Sequence, residues 1–165
     1  MLLKLDLSKA FDKLSWTFME RMFLAFGFDR NWFRWIKNLT SSTFFSILLN
    51  GSPSQPFKAL RGIRQGDPLS PFLFILMMEG LGRLLTVARD IKDIRGIQLH
   101  PKEEAHTHQH FVDDTMLMGY ASVQEAQTLH SRLDFFLEAS GMEINEDKSQ
   151  IFFFNTPQVN QRNIL

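Results

Sequence analysis

The spacing of apolar residues changes along the chain, and each change predicts a new element of secondary structure. Residues 3–7 alternate between apolar and polar, which is typical of a half-buried strand. Helical spacing follows. Ser15 is placed as the N-cap of a first helix, and Gly27 is placed to end it. Asp29 is placed as the N-cap of a second helix. The side chains that the second helix is predicted to bury are Trp32, Phe33 and Ile36.

The middle of the chain predicts a hairpin and then a long helix. Residues 44–50 have the composition of a strand, and the Asn-Gly pair at residues 50–51 is a strong signal for a tight turn into a return strand. Ser70 stands before Pro71, which is the arrangement of a capping hydroxyl followed by a first-turn proline. Residues 72–85 are apolar on nearly every side, so this helix is expected to be central and buried.

The last third of the chain predicts a second hairpin and another helix. Residues 107–112 and 115–120 form the arms of the hairpin, and two aspartates occupy its turn. Ser122 and Glu125 have the spacing of a capping box. The apolar stripe that follows them is predicted to be a helix that ends at Gly141.

Strands and helices are mixed along the chain, and their order favours antiparallel pairing. A last strand is predicted at residues 150–154. The expected fold class is α+β, an antiparallel sheet with helices packed on one face, as in a ferredoxin-like core. Residues 1–154 are expected to form this single domain, and residues 155–165 a polar C-terminal tail.

The composition supports one folded domain and limits the chemistry that it can carry. The 165 residues are 44% hydrophobic, which is enough for one core. No cysteine is present, which excludes disulfides, thiolate zinc sites and cysteine nucleophiles. The 18 basic residues balance 18 acidic ones, so no overall basic field is available to hold a nucleic acid by itself.

The sequence predicts no membrane partner. Its most apolar run, residues 69–78, is broken by Glu79 and is shorter than the roughly 20 residues of a membrane-spanning helix. No signal peptide is visible either. The sequence does not fix the location of the protein, and an intracellular location in nucleus or cytoplasm stays open.

Adjacent carboxylates at Asp113 and Asp114 are the most informative chemical feature of the chain. Such neighbours repel each other, and they are explained either by a bound metal ion or by an ordinary polar turn. Asp6 ends the first predicted strand in a similar setting, and pairing of neighbouring strands would bring it to the two aspartates. Converging carboxylates suit Mg²⁺, and two such ions about 3.5–4 Å apart promote in-line phosphoryl displacement.

Four blocks of sequence place these aspartates in a wider pattern. The blocks are LKLDLSKAFD at residues 3–12, RGIRQGDPLSP at residues 61–71, FVDD at residues 111–114 and SGMEINEDKS at residues 140–149. Together they resemble the palm of reverse transcriptases from LINE-type non-LTR retrotransposons. The second block is the most specific of the four, whereas a paired aspartate alone is a weak signal.

The resemblance implies an RNA-directed DNA polymerase that works with two Mg²⁺ ions, or with Mn²⁺ as an alternative. Its partners would be an RNA template, a DNA primer and deoxynucleoside triphosphates, and the primer 3′-hydroxyl would attack the α-phosphate. The resemblance also implies that Asp6 and Asp113 bind both metal ions, that Asp114 is a further acid at the site, and that the Leu7 carbonyl is a backbone ligand.

Other residues of the blocks would contact the nucleotide. Phe11 matches the bulky side chain that lies under the sugar and excludes a 2′-hydroxyl, although its alternative is an ordinary core phenylalanine. Gln65 and Gly66 would contact the incoming nucleotide and the template backbone, because glycine permits close approach. Their alternative is a simple turn before a helix.

Charged residues of the blocks would contact phosphates. Lys148 would donate a proton to the departing pyrophosphate or neutralise it, and its alternative is a solvated surface lysine. Arg61 and Arg64 would contact phosphates or pair with acids such as Asp67. Asp12 matches a recurrent position of the family without a derivable role, and helix capping is the plainer account.

Histidine and tryptophan residues have structural interpretations. His106, His108 and His110 share one face of a strand, but no further metal ligand is evident near them, and Asp113 points to the opposite face. The residues that are expected to pack in the core rather than to stack on bases are Trp16, Trp32 and Trp35.

The chain departs from the family in two ways. Val112 replaces the alanine that is more usual there, and no segments resembling the fingers, the thumb or the endonuclease are recognisable. These domains are expected in a full-length protein, so the isolated chain is expected to be weakly active or inactive. One alternative is a non-catalytic remnant or scaffold that binds nucleic acid or protein. The other is a nucleotide cyclase, but that hypothesis does not account for the sequence block at residues 61–71.

Overall fold

A four-stranded antiparallel sheet carries the fold in a computed structural model that describes residues 1–112 and 114–164. In chain order, the strands are β1 (Leu2–Asp6), β2 (Phe44–Phe45), β3 (Leu48–Leu49), β4 (Ser52–Pro53), β5 (Phe57–Lys58), β6 (His108–Phe111), β7 (Asp114–Met118) and β8 (Gln150–Phe152). The helices are α1 (Ala10–Lys13), α2 (Trp16–Ala25), α3 (Arg30–Ser41), α4 (Ser70–Asp90), α5 (Val123–Ser140) and α6 (Gln158–Ile164). A 3₁₀ turn, Glu146–Lys148, precedes β8.

The main sheet has the order β6-β7-β1-β8, and its neighbouring strands are all antiparallel. Leu5 on β1 and Leu117 on β7 are buried, because their side of the sheet faces the helices. α2, α4 and α5 pack against one another there. Side chains on the opposite side, including Asp6, stay half-buried. The α+β class predicted from the sequence, with helices on one face of an antiparallel sheet, is confirmed.

The predicted helix ends are confirmed wherever a local side chain or a glycine forms the cap. The Phe18 amide donates to Ser15 Oγ at 3.3 Å, and the Asn31 amide donates to Asp29 Oδ1 at 2.7 Å. Gly141 ends α5 with a φ of 74°, which is the left-handed conformation typical of a glycine at a helix C-terminus.

Pro71 lies in the first turn of the long helix as predicted, but the predicted capping role of Ser70 is wrong. Ser70 is the first residue of α4 and is 2% exposed, and its side chain caps nothing. The Leu69 amide, which precedes the helix, donates to Asp67 Oδ1 at 2.8 Å, and among the described residues no side chain accepts from the first-turn amides of α4. The helix also runs on to Asp90, because Glu79 lies on its exposed side and does not interrupt the buried stripe.

The hairpin before α4 is more irregular than the sequence predicts. It consists of two short ladders, β2 with β5 and β3 with β4. Between them, the Ser54 amide donates to the Ile47 carbonyl at 2.8 Å and the Ile47 amide donates to Ser54 Oγ at 3.0 Å, so a side chain replaces one of the two backbone bonds. The turn at residues 50–51 is placed as predicted, and Asn50 and Gly51 both have positive φ angles.

The buried side of α3 differs from the prediction. Phe33 and Ile36 are buried as expected, whereas Trp32 is 42% exposed and Trp35 is 60% exposed. The two indole rings contact each other edge to face, with centroids 6.0 Å apart. The expectation that these tryptophans pack in the core is therefore wrong. Trp16, in contrast, packs against the core as expected.

The segment after β8 contains a helix that the sequence pattern did not indicate. Residues 158–164 form α6, which packs against α5. Ile164 is partly buried against the core, which explains why an otherwise polar segment is helical.

α4 has the length and the apolar composition of a helix that crosses a membrane. Within the fold, 44% of the residues in its most apolar stretch are buried. Core helices satisfy the same criterion, so this is weak evidence for a span.

A buried carboxylate joins the start of α5 to the rest of the fold. Ser122 Oγ accepts from the Glu125 amide at 3.3 Å, which is half of the predicted capping box. The Glu125 carboxylate does not return to the cap. It accepts hydrogen bonds from the Tyr120 amide at 2.9 Å and from the backbone and Nε of Arg95 at 3.3 and 2.6 Å.

Replacing Glu125 with alanine is expected to destabilise the protein by about 2–4 kcal/mol, because two backbone amides lose their acceptor in a buried place. Glu138→Ala is the matched control on the same helix, since Glu138 is exposed, and we expect less than about 0.5 kcal/mol from it. Urea unfolding followed by circular dichroism measures both. Equal losses in the two variants would contradict the role given to Glu125.

Candidate active site

Asp6 and Asp114 lie directly opposite each other at the ends of β1 and β7. The Asp6 amide donates to Ser149 Oγ at 3.2 Å, and its carbonyl accepts from the Asn145 amide at 2.8 Å. Since both backbone groups of Asp6 point away from β7, the two aspartates form a non-hydrogen-bonded pair, whose Cα atoms are about 4.5 Å apart in typical antiparallel sheets. Their side chains therefore share the open side of the sheet.

Asp113, predicted as the second metal ligand, lies outside the described residues. The turn that leads to it carries a strained residue. Val112 has a φ of 54°, a conformation that is unfavourable for a β-branched side chain. Strain of this kind is often found at functional sites.

Lys4 neutralises part of the negative charge at this sheet end. Its Nζ lies 3.5 Å from Asp114 Oδ1, and the two side chains are 44% and 42% exposed. An ion pair that is open to water contributes little stability. Its effect is on the site, because it offsets the repulsion between the two neighbouring carboxylates.

The orientation of the Leu7 carbonyl follows from the isolated bridge that Leu7 forms with Ile144. Leu7 pairs with Ile144 in an isolated bridge, flanked by the hydrogen bonds from the Ser8 amide to the Glu143 carbonyl and from the Asn145 amide to the Asp6 carbonyl. The backbone groups of Leu7 therefore point to the other side, toward β7. Among the described residues, none donates a hydrogen bond to the Leu7 carbonyl.

Hydrogen bonds to and from the backbone of Gly62 and Ile63 join the second sequence block to the first block and the residues just after it. The Gly62 amide donates to the Leu14 carbonyl and the Ile63 amide to the Phe11 carbonyl, each at 2.8 Å, and Trp16 Nε1 donates to the Gly62 carbonyl at 2.7 Å. We call these three hydrogen bonds the Gly62 clamp. They hold the following residues, 64–66, next to Phe11.

Gly62 is required by the geometry of this clamp. Its φ is 89°, and a Cβ atom there would lie 2.6 Å from the backbone carbonyl oxygen of Asp12. Both conditions exclude a side chain. The Asp12 carbonyl thus packs closely against Gly62, while Ser15 caps the next helix, so the capping role considered for Asp12 is not observed.

Phe11 is supported by the core and remains partly open to solvent. Its ring stacks on the buried Phe74 of α4, with centroids 4.8 Å apart and planes inclined by 15°. The contact with Phe74 agrees with the interpretation of Phe11 as a core residue, and its contact with the sugar stays a prediction.

Gln65 and Gly66 are exposed, and Gly66 has open space around its α-carbon together with a φ of 85°. Arg64 donates from Nη2 to Thr43 Oγ1 at 2.7 Å and does not form the ion pair with Asp67 that was considered as an alternative. An open cleft of about 480 Å³ lies beside them. Polar residues that line the cleft include Asp12, Thr40, Thr43, Arg61, Arg64 and Gln65.

Residues of the fourth block bind the backbone of β1 on the edge that faces away from β7. Ser149 Oγ, which receives the Asp6 amide, donates to the Asn145 carbonyl at 2.8 Å. Lys148 precedes Ser149 in the 3₁₀ turn and is exposed. Sequence reasoning did not assign Asn145 and Ser149, although they are the residues that position Asp6. The sequence feature that could have indicated this role is the position of both residues inside the fourth block.

An ion pair between Lys13 and Glu143 also joins the first block to the fourth. The hydrogen bond from Lys13, together with its charge, lowers the pKa of the Glu143 carboxyl. The Ser15 amide adds a backbone link by donating to the Ser140 carbonyl at 2.7 Å. The first, second and fourth blocks therefore form one interlocked unit around Asp6.

The three histidines do not converge on a metal site. His108 and His110 lie on the helix-facing side of the sheet, opposite to Asp6, with ring centroids 4.9 Å apart. His106 is exposed beside Ile97. In the part of the chain that the structure describes, no three histidine, aspartate or glutamate side chains are placed to hold an ion together.

Burial lowers the pKa of His110 from its ordinary value of 6.5 to about 4, and the charge of His108 acts in the same direction while Glu79 opposes it. Burial also lowers the pKa of His108. His110 Nδ1 contacts Thr115 Oγ1 at 3.0 Å, whereas its buried Nε2 has no partner among the described residues. Both rings are therefore neutral at pH 7 in the folded protein.

Acid is expected to destabilise the fold through His110. The pKa is lower in the folded state, so this stabilisation is complete above about pH 6.5 and is lost as the pH falls toward 4, by at most about 1.4 kcal/mol per pH unit for one proton. His110→Gln should flatten the dependence of unfolding free energy on pH in this window. His130→Gln, at an exposed position, is the control and should leave it unchanged. Parallel profiles for wild type and His110→Gln would contradict this prediction.

Comparison with known proteins identifies the family to which the chain belongs. The profile of the family described as reverse transcriptase (RNA-dependent DNA polymerase) matches residues 1–165. This chain belongs to the reverse transcriptase family. The predicted resemblance to reverse transcriptases of non-LTR retrotransposons is thereby confirmed, since the relatives include Pol polyproteins of such elements.

Two relatives come from animal retroelements. This reverse transcriptase chain is 33% identical over 144 residues to the Pol polyprotein of type-2 retrotransposable element R2DM from Drosophila melanogaster, covering 87% of the chain and 13% of that protein. It is 27% identical over 147 residues to the 149 kDa protein of transposon TX1 from Xenopus laevis, covering 89% of the chain and 11% of that protein. The chain thus spans a small part of each of these two relatives.

Solved structures show the same fold. Telomerase from Candida albicans, in complex with a fragment of telomeric RNA, superposes with a TM-score of 0.68 at 16% identity, over 94% of this chain and 27% of that one. A truncated apo telomerase from Candida tropicalis gives a TM-score of 0.65 at 11% identity, over 94% of this chain and 31% of that one. These likenesses confirm the α+β palm fold.

Proposed function

We propose that the chain is the catalytic palm of an RNA-directed DNA polymerase, which adds deoxynucleoside triphosphates to the 3′-hydroxyl of a DNA primer on an RNA template. The observation that supports this most is the pairing of Asp6 with Asp114 on the open side of the sheet, inside a chain that belongs to the reverse transcriptase family. Residues 1–154 constitute the palm in this proposal. Fingers, thumb and endonuclease domains belong to the longer protein.

The carboxylates of Asp6, Asp113 and Asp114 and the Leu7 carbonyl are hard oxygen donors, which suits Mg²⁺ or Mn²⁺. These residues would hold two such ions, which would supply Lewis acidity to the attacking hydroxyl and to the leaving oxygen. Asp6 is suited to this role because Asn145 and Ser149 bind its backbone from behind and leave its carboxylate on the open side of the sheet. Lys4 keeps the neighbouring carboxylates close together before a cation is bound.

The remaining residues would orient the nucleotide. Phe11, supported by Phe74, borders the sugar and excludes a 2′-hydroxyl. Gln65 and Gly66, held beside it by the Gly62 clamp, contact the nucleotide and the template backbone. Arg64 meets phosphate oxygens, and the exposed Lys148 neutralises or protonates the departing pyrophosphate.

A titration of the purified chain with Mn²⁺, followed by the electron paramagnetic resonance signal of the free ion, tests the proposal. Binding at millimolar or lower concentration that Mg²⁺ displaces is expected. Primer extension on an RNA template should then be weak and non-processive, because the chain corresponds to 13% of the R2DM Pol polyprotein and 11% of the TX1 protein. A chain that binds no ion at millimolar levels would instead be a non-catalytic scaffold.

A further inference from the structure

The hairpin between α3 and α4 exposes apolar side chains on both of its faces. Phe44 lies opposite Lys58 on one face, and Phe45 lies opposite Phe57 on the other, with the two stacked phenylalanine rings 6.0 Å apart between centroids. We call residues 44–49 the apolar arm. Its large apolar side chains are all exposed, by 42% for the least exposed and 72% for the most: Phe44, Phe45, Ile47, Leu48 and Leu49.

The sequence of the apolar arm is typical of a strand that is covered on both faces. Half-buried strands alternate between apolar and polar residues, whereas strands covered on both faces are nearly continuous apolar runs. Every residue of the apolar arm except Ser46 is apolar. A run of this kind that is open to water indicates a surface that a partner covers.

The hairpin is too small to be stable by its own pairing. Each of its ladders, β2 with β5 and β3 with β4, consists of two residue pairs. A two-stranded hairpin is marginally stable in water, and a third strand is usually required. Pairing with a further strand would therefore stabilise this segment.

The apolar arm has an open edge that can accept such a strand. Ile47 is bonded inward, because its carbonyl accepts from the Ser54 amide at 2.8 Å and its amide donates to Ser54 Oγ at 3.0 Å. The direction of the backbone groups alternates along an antiparallel strand. The N–H and C=O groups of Ser46 and Leu48 therefore point outward, away from the second arm of the hairpin.

Proline blocks the other edge of the hairpin. Pro53 and Pro56 lie in the second arm and have no N–H group to donate. Prolines and charged side chains are the means by which natural proteins prevent pairing at exposed edges. The apolar arm contains neither. An added strand is therefore directed to residues 44–49.

Positive charge surrounds the start of the apolar arm. Lys58 Nζ lies 4.6 Å from the centroid of the Phe44 ring, and Arg64 Nη2 donates to Thr43 Oγ1 at 2.7 Å. Residues 30–66 contain no aspartate or glutamate, although the whole chain carries 18 acids and 18 cations. A segment that carries carboxylates complements this surface.

Other partners suit the apolar arm less well. Nucleic-acid interfaces are more polar than protein interfaces, and a nucleic acid has no backbone amide to pair with a strand edge. A lipid bilayer would leave the outward backbone groups of Ser46 and Leu48 without partners, which is costly in hydrocarbon. A second copy of the chain would bring two acid-free surfaces together, and their like charges would oppose the contact.

We propose that the apolar arm binds a partner protein through an extended, acidic segment, which adds to the hairpin as a third strand. The added backbone pairs with the outward groups of Ser46 and Leu48, and its apolar side chains pack beside those of the arm. Its carboxylates contact Lys58 and Arg64. The contact requires neither a metal ion nor a nucleotide, so it is independent of the proposed polymerase function.

Fluorescence anisotropy with a short labelled peptide of alternating valine and glutamate tests this surface. Wild type should bind the peptide at low salt, and the counterpart of alternating valine and lysine should bind at least about tenfold more weakly, because its charge is repelled. A peptide with the same valine and glutamate side chains but N-methylated backbone amides should also bind at least about tenfold more weakly, because it cannot donate to a strand edge.

Leu48→Pro removes an outward N–H group from the apolar arm and should weaken peptide binding about fivefold or more. Gln55→Pro is the matched control, at an exposed position of the second arm, and should leave the affinity nearly unchanged. Lys58→Gln should weaken binding about twofold or more and reduce its salt dependence, whereas Lys102→Gln, at another exposed position, should not. Thermal unfolding followed by circular dichroism checks that each variant is folded.

The proposal is overturned if wild type does not bind the acidic peptide at millimolar concentration, or if Leu48→Pro and Gln55→Pro lose affinity equally. Sedimentation velocity is measured in parallel, and a dimer that Leu48→Pro dissociates would assign the apolar arm to a second copy of the chain instead. Loss of binding to an RNA oligonucleotide or to phosphatidylserine vesicles in Leu48→Pro, without loss of peptide binding, would assign it to a nucleic acid or a membrane.

Discussion

Gly62→Ala is expected to destabilise the protein by about 2–5 kcal/mol, because two separate costs act at one position. A φ of 89° is unfavourable for any residue with a Cβ atom, which accounts for about 1–2 kcal/mol. The new Cβ would also lie 2.6 Å from the Asp12 carbonyl oxygen, so the Gly62 clamp must open to accept it. Thermal unfolding should show a decrease in Tm of about 5–15 °C for a protein of this size.

Gly27→Ala is the matched control for this prediction. Gly27 has nearly the same φ, 82°, but nothing lies within 4 Å of the position that its Cβ would take. Only the backbone cost of about 1–2 kcal/mol should remain there. The difference between the two variants therefore measures the steric part. Equal losses in Gly62→Ala and Gly27→Ala would show that the contact with Asp12 does not limit this position.

Asp6→Asn is expected to remove the proposed metal site without loss of stability. One of the two facing carboxylates becomes neutral, so Mn²⁺ affinity should fall at least tenfold and any metal-dependent nucleotide addition by about a hundredfold or more. The same change relieves repulsion from Asp114 on the open side of the sheet. The free energy of unfolding should therefore stay the same or rise slightly.

Asp134→Asn is the control for Asp6→Asn, because it removes a carboxylate from the exposed surface of α5. It should leave Mn²⁺ affinity unchanged. The measurement combines the free Mn²⁺ signal, single-nucleotide addition to a primer, and urea unfolding. If Asp6→Asn binds Mn²⁺ as tightly as wild type, Asp6 is not a ligand and the proposed site is wrong.

Stability and function are thus expected to respond in opposite ways at the two positions. Gly62 packs against the backbone of the first block, so its replacement by alanine is expected to lower the free energy of unfolding. Asp6 sits where like charges are brought together, which is unfavourable for folding and useful for binding a cation. We therefore expect residues that pack around the site, such as Gly62, to affect stability, and residues of the site itself, such as Asp6, to affect metal binding.

Local signals predicted much of the secondary structure. Ser15, Asp29 and Gly141 were placed correctly, because a cap depends on the conformation of a few neighbouring residues. Ser70 was misplaced as a cap because it is buried as the first residue of α4, and burial is decided by the tertiary fold. Trp32 was misplaced because the covered side of a helix depends on its neighbours in space.

The candidate site divides in the same manner. The four blocks identified Asp6, Phe11, Gln65 and Lys148 from the sequence, and the pairing of β1 with β7 brought Asp6 to Asp114 as expected. Asp113 lies outside the described residues, so its placement stays a prediction. The support that holds Asp6, from Asn145 and Ser149, was not predicted, because these hydrogen bonds join residues far apart in the chain.

The sequence by itself determined the family, the α+β class and the acids that carry the proposed chemistry, because family motifs, hydrophobic spacing and caps are recorded in short runs of residues. The tertiary structure decided which side of each helix is covered, which carboxylates share one side of the sheet, and why Gly62 must be glycine. It also decided that Trp35 and three cations of α3 remain exposed. These properties depend on distances between segments that are remote in the chain, and no local pattern encodes them.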